Sequence, residues 1–315
     1  MKIGLVVDSA CDLPKRYIDR HRIQVLPISI RIADTLYADD RQPATLKAFY
    51  EERRLDKDQD AESVPLSEQE FRDLFLDKVV SEVDYALVQT LPAVSSPMFD
   101  NATRASHAIL RDYKSVRAKA GVEGPFALRV TDSQTLFCGQ GALAAATMNM
   151  INQGMRVSDI RNRIFDLTPH ATGYSVVADL FYLQKRARKK GNKSVSWLGA
   201  KLGSALDIKP ILCARSGNAY TVTKVRGYDN AIARMFAHTS HCIREGLEEP
   251  VVCVSYAGDE AVIRTLPGFS DLQACARQHG VELLVTTMSL SGGVNLGPGA
   301  VNVGFISTEP DLGSN

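Results

Sequence analysis

Apolar and polar positions alternate with two different periods along this 315-residue chain. Short runs such as "KIGLVV" (2–7), "YALVQT" (85–90) and "PFALRVTDS" (125–133) are rich in β-branched residues and read as strands. "RIQVLPISIRI" (22–32) alternates as a half-buried strand does. Between them the period lengthens. In 67–83, Phe71, Leu74, Phe75, Lys78 and Val79 fall at helical spacing, and Ser67 with Glu70 forms a capping-box signature. "SPMFDNATRASHAILRDY" (96–113) and "GQGALAAATMNMINQG" (139–154) also read as helices. Strand and helix in alternation predict a mostly parallel sheet flanked by helices.

Beyond Gly154 the pattern changes. A helix over 155–169 is followed by two strands about Ser216-Gly217-Asn218, where short turn chemistry predicts an antiparallel hairpin. Helix and strand then alternate again from 229 to 288. The expected fold class is therefore α/β with two domains, 1–167 and 168–315, the second having a mixed or antiparallel sheet. The charged segment 52–63 is expected to be a solvated surface loop.

Composition narrows the function classes. Hydrophobic residues make up 45% and charged residues 23%, with a net charge of +1, so no global affinity for nucleic acid or acidic membranes is expected. No apolar run approaches the ~20 residues that cross a bilayer, and no stable membrane anchoring is expected. The first residues read as a core strand, not a signal peptide. Six scattered cysteines without a C-x-x-C pair fit reduced thiols of a cytoplasmic protein.

Several motifs bear on chemistry, each with a plainer reading beside it. "VVDSACDLP" and "VTDSQTLFCG" both end a strand in Asp-Ser. Asp8, Ser9, Asp132 and Ser133 would share a crevice beyond the strand ends, or serve only as loop and cap residues. "GQGALAA" (139–145) fits G-x-G-x-x-A, but six residues separate Asp132 from Gly139, against a dinucleotide site. His238, His241 and Cys242 have metal-ligand spacing without a third ligand nearby in sequence, which favours a surface or interface role. "QKRARKKGNK" (184–193) is basic without interleaved aromatics, so nucleic acid fits poorly. Hydroxyls gather at loop starts: Ser63, Thr90, Ser95 and Ser96. Near a helix N-terminus they favour an anion or simply cap it. The run "SLSGGVNLGPGAVNVGF" (289–305) lets backbone approach a ligand closely, or makes a tight turn between two strands. No nucleophile elbow or H-E-x-x-H is present.

In order, these stretches resemble the DegV family of bacterial fatty-acid-binding proteins over essentially the whole chain. "GLVVDSACDLP" resembles the family's opening strand, and "IQVLPISIRIADTLYADD" the stretch after it. "SVPLSEQEF" sits at a Thr-Ser-x-Pro-Ser segment, with Ser63 at the threonine; "SSPMFDNA" sits at Ser-Gly-Thr, with Ser96 at the serine. "VTDSQTLFCGQGALA" resembles a strand and Gly-x-Gly helix start. "LFYLQKRARKK" resembles the run into Gly-Gly-Arg, with Arg188 at the arginine, and "LGSALDIKPIL" is a close block. "SGNAYTVTKVRG" puts Lys224 and Arg226 at a Lys-x-Arg position. "NLGPGAVNVGF" resembles His-x-Gly-Pro-Gly, with Asn295 in place of the histidine and Gly297 the first of its two glycines.

The resemblance implies a long-chain fatty acid held in a tunnel between the domains, without a cofactor or metal. Its carboxylate would be bound by Ser63, Ser96 and Arg188 with Asn295 and Gly297 close by. It also implies a partner fatty-acid kinase that phosphorylates the presented carboxylate, with Lys224 and Arg226 on the exchange surface. Asparagine cannot carry the charge of an imidazolium, so binding should survive the change at 295 while phosphoryl transfer is in question. The reading from another class is a metal-dependent phosphotransferase or hydrolase acting on a phosphorylated small molecule at Asp8 and Asp132.

Overall fold

The computed structural model describes residues 1–52, 55, 57, 60–189, 207–309 and 311–313, the side chains of 186–189 excepted. In chain order the first part contains β1 (Ile3–Asp8), α1 (Lys15–His21), β2 (Gln24–Leu26), β3 (Ile28–Ile32), β4 (Thr35–Asp39), α2 (Pro43–Glu51) and β5 (Ala61–Val64). It continues through α3 (Glu68–Lys78), β6 (Tyr85–Thr90), α4 (Met98–Ala108), α5 (Tyr113–Lys119), β7 (Ala127–Asp132) and α6 (Cys138–Asn152). Strands β2-β1-β6-β7 form a parallel sheet. Apolar residues on both faces of β1 and β6 explain why neither strand alternates: helices cover both sides. Helix α3 begins with the expected capping box, Ser67 and Glu70 bonding each other's backbone N–H.

The second part contains α7 (Val157–Leu167), β8 (Ala171–Val176), α8 (Leu180–Lys189), β9 (Ile208–Arg215), β10 (Asn218–Arg226) and α9 (Tyr228–Glu245). After these come β11 (Val251–Tyr256), α10 (Phe269–Gln278), β12 (Glu282–Thr287), α11 (Leu290–Leu296) and β13 (Val301–Ile306). Its sheet runs β10-β9-β8-β13-β11-β12, antiparallel except for β11 with β12. The molecule is thus a mixed α/β fold in which a parallel sheet flanked by helices accompanies a second, mixed sheet. Among the described residues no helix is long and apolar enough to cross a membrane.

Helix α6 is the piece between the sheets. It packs on β1 from one sheet and on β8, β11 and β13 from the other, and it is buried on nearly every side, as a helix with apolar residues all round tends to be, its buried Gln140 and Thr147 being hydrogen-bonded. This accounts for "GQGALAA". A Cβ on Gly304 of β13 would strike the backbone of Cys138 and Gly139, so the glycines serve close helix–sheet packing.

Three expectations need correction. The alternating run 22–32 is not one strand: Pro27 breaks it, sending β2 into the parallel sheet and β3 into a separate antiparallel sheet, β4-β3-β5. The charged segment 52–63 is not loop throughout, because β5 begins at Ala61 and Leu55 is buried. The glycine-rich run is not a turn between neighbouring strands. It contains α11, and β11 lies between β12 and β13. The hairpin did form, with Ser216 and Gly217 both at positive φ, as a two-residue turn of that hand requires.

Candidate functional site

A cavity of about 330 Å³ opens where the parallel sheet, the small sheet and the mixed sheet meet. Apolar side chains make most of its wall: Ile28, Leu91, Leu136, Phe137, Leu212 and Leu296. The described lining carries no charged side chain. Its polar groups are hydroxyls and one amide, supplied by Ser63, Ser95, Ser96, Ser175, Ser291 and Asn295. An apolar wall with a few convergent polar groups is the ordinary form of a small-molecule site.

Four segments hold these polar groups: β5, the loop before α4, β8 and α11. Ser63 lies on β5, opposite Ile30 of β3. Ser96 ends the loop between β6 and α4, whose turn is closed by Ser95 and Ser96 N–H donating to the Pro92 carbonyl (2.9 and 3.1 Å). Two carboxylates anchor that loop. Asp8 accepts from Leu91 N–H at 2.6 Å and Asp132 from Ala93 N–H at 3.2 Å. Ser9 Oγ accepts from Ile28 N–H (2.9 Å), and Ser133 Oγ donates to the Thr135 carbonyl (3.1 Å). Asp8, Ser9, Asp132 and Ser133 thus all bond loop or strand backbone, and none of them lines the cavity. Burial pushes the Asp8 carboxyl up to about 7, against the pull of its N–H donors.

Helix α11 brings Ser291 and Asn295, one turn apart, to the cavity. Its N-cap Ser289 accepts from Gly292 N–H (3.1 Å). Glycines let neighbours close on the helix: Tyr50 packs over Gly293 and Tyr182 over Gly297. Gly297 (φ +87°) ends the helix with its N–H on the Gly293 carbonyl at 2.7 Å. It positions the segment without lining the cavity.

Behind α11 lies a buried ionic network that sequence reading did not single out. Arg41, 2% exposed, reaches Asp12 (3.2 Å), the Leu13 and Thr287 carbonyls (3.2 and 3.1 Å) and Thr286 Oγ1 (3.4 Å). Asp12 also accepts from Ser255 Oγ (2.6 Å) and Ser289 N–H (2.9 Å). Asp39 accepts from Ser291 N–H (3.1 Å). Burial raises both carboxyls, that of Asp39 to about 6, while the Arg41 cation opposes the shift. Arg41 stands at φ +58°, a strained backbone for a residue with Cβ that its many contacts sustain. The only sequence cue was charge flanking the end of β4 and following β1.

The remaining candidates lie elsewhere. Lys224 and Arg226 are exposed on β10, the edge strand of the mixed sheet. Arg188 falls on α8, and its side chain lies outside the described residues, as does the basic run beyond 189. His238 is packed edge-on against Tyr174, and burial lowers its pKa to about 4. Among the described residues no three His, Cys, Asp or Glu side chains are grouped to hold a metal ion.

The family model described as "Uncharacterised protein, DegV family" matches residues 2–308. The chain belongs to the DegV family. A DegV domain-containing protein of Xanthomonas axonopodis pv. citri is 46% identical over 310 residues, covering 98% of each chain. Among solved structures, DegV of Bacillus subtilis, described as a fatty acid binding protein, superposes with a TM-score of 0.77 at 22% identity, covering 98% of this chain and 100% of that one. A stearic acid-binding protein from Eubacterium ventriosum gives 0.77 at 20% identity, covering 97% and 98%. These likenesses establish the DegV fold for this chain, and the cavity described above lies within it.

Proposed function

We propose that this DegV-family chain binds one long-chain fatty acid in the cavity, hydrocarbon against the leucine-rich wall and carboxyl end toward Ser63, Ser96 and Asn295. One observation carries this reading: three residues distant in sequence, on β5, before α4 and on α11, line the same apolar cavity. Burying an acyl chain contributes roughly 0.8 kcal/mol per CH₂, so the apolar wall supplies affinity and the hydroxyls supply orientation. The fatty-acid binding described for the structural relatives supports the ligand class. In this reading the chain is a carrier, and a partner fatty-acid kinase supplies the chemistry. The exposed pair Lys224 and Arg226 gives a basic surface for an acidic phosphate donor. The carrier role is expected to operate in the cytoplasm.

The test is organic extraction of freshly purified protein followed by mass spectrometry. A near-stoichiometric long-chain acid is expected. An empty extract, together with no uptake of a fluorescent acyl probe by the delipidated protein, would sink the proposal.

A further inference from the structure

Strands β1 and β7 flank β6 in the parallel sheet, and each ends in an aspartate followed by a serine. The two carboxylates use their oxygens alike. Asp8 Oδ1 accepts from Ala10 N–H (3.1 Å) and Asp132 Oδ1 from Gln134 N–H (2.8 Å), each closing a turn on the residue two places on. The Oδ2 atoms take the chain that leaves β6: that of Asp8 accepts from Leu91 N–H (2.6 Å), that of Asp132 from Ala93 N–H (3.2 Å). One loop is thus gripped from both neighbouring strands. Leu91, Val94, Ser95, Ser96 and Pro97 of this loop line the cavity, whereas neither carboxylate does.

Asp132 reaches a second wall as well. Its turn fixes Gln134 at φ +53°, a backbone that a residue with Cβ adopts only at a cost. The Gln134 carbonyl accepts from Gly217 N–H at 2.7 Å. Gly217 lies in the turn between β9 and β10, and Leu212, Ala214 and Ala219 of these strands line the cavity from the mixed sheet. Hairpin and loop approach at that turn: a Cβ on Gly217 would lie 3.7 Å from Val94 Cγ2. Val94 lines the cavity and is yet 78% exposed, so it stands at the rim. Hydrogen bonds to an ionised acceptor are roughly twice as strong as neutral ones, which suits a carboxylate to holding two backbone segments in place. Resting on the acyl-binding reading, we infer that Asp132 is a positioning residue for the acyl site: through Ala93 and Gln134 it fixes the loop 91–97 against the β9–β10 hairpin, while Asp8 grips the same loop from β1.

The experiment titrates a dansyl-labelled undecanoic acid into delipidated wild type, Asp132→Ala, Asp132→Asn, Ser96→Ala and the double variant Asp132→Ala/Ser96→Ala, each shown to be folded by circular dichroism. Affinity is expected to fall about 10-fold in Asp132→Ala. A fall of about 3-fold is expected in Asp132→Asn, which keeps one acceptor and with it the turn at Gln134, but not the bond to Ala93. Ser96→Ala should cost about 5-fold in the wild type and less than about 2-fold in Asp132→Ala, because a loop no longer gripped does not present Ser96 in one place. A merely structural Asp132 would lower the urea midpoint and leave the cost of Ser96→Ala the same in both backgrounds. Wild-type affinity in both Asp132 variants overturns the inference, and so do losses that multiply in the double variant; the acyl-binding reading survives either result. If Asp132→Ala does not fold, Asp132→Asn with Ser96→Ala runs the same cycle, again with the Ser96 cost expected to shrink. A folded wild type that binds no probe overturns the acyl-binding reading itself.

Discussion

Helix α11 meets two polar regions that differ in charge. At its start, Ser289 and Ser291 present backbone N–H groups to Asp12 and Asp39, which sit with Arg41 in a network of buried charges. Further along, Ser291 Oγ and Asn295 Oδ1, which belong to residues lining the cavity, are neutral, buried and unpartnered. The first region joins pieces far apart in sequence: the exit of β1, the end of β4, Ser255 of β11 and the exit of β12. A buried charge is costly unless paired, so charge in this molecule is concentrated where geometry is fixed. Unpaired neutral groups cost less, and two of them, Ser291 Oγ and Asn295 Oδ1, belong to residues that line the cavity. The contrast sets charged groups that tie distant segments together beside neutral groups of the cavity lining.

The comparison breaks most sharply at Arg41. Arg41→Ala strands two buried carboxyls, and loss of about 3–5 kcal/mol of stability is expected, read as a lower urea midpoint or a failure to fold. An unchanged midpoint would show the network to be incidental. The pH dependence comes next. Asp8 and Asp39 have carboxyls raised to about 7 and about 6, so the folded state holds protons that the unfolded chain releases in the ordinary carboxylate range. Their contribution is fully present below that range and is lost as pH rises through 6 to 7, so urea-unfolding free energy should fall between pH 4.5 and 7.5. A steady rise over that interval would show both carboxylates ionised in the fold.

Two smaller effects belong to the cavity face. Ala214 on β9 lines the roof, and Ala214→Phe should shorten the longest acyl chain accepted, at about 4-fold in affinity for each CH₂ excluded. A competition series of acids of increasing length reads this directly. Ser96→Ala should weaken binding by about 5-fold while leaving stability within about 0.5 kcal/mol. A large loss of stability instead would put Ser96 with the structural groups.

Much of the fold was legible because its signals are local. Capping at Ser67 and Glu70, the Ser216-Gly217 turn and the helical spacing of 71–79 need only neighbours along the chain, and each element formed where expected. The failures involve glycine and proline. Pro27 divides a run whose alternation is continuous, and α11 forms despite Gly292 and Gly293 because Tyr50 and Met288 fill the space their missing side chains leave. Of the site, Ser63 and Ser96 stood out as hydroxyls at loop starts and again by resemblance, and Asn295 by resemblance alone; Ser291, Arg41, Asp12 and Asp39 were not singled out. Hydrogen bonds spanning 28 to 277 residues carry the Arg41–Asp12 network, and no periodicity records them.

By itself the sequence determined the α/β class, most element positions, the near-neutral charge and the family. Those follow from composition, from short-range sterics and from the alternation of apolar faces, all of which are written along the chain. Only the tertiary structure decided that Pro27 separates two sheets, that α11 stands between an ionic network and a cavity, and that Asn295 has one hydrogen-bonding atom left over. Pairing and burial are properties of what surrounds a group, and here the surroundings come from the far ends of the chain.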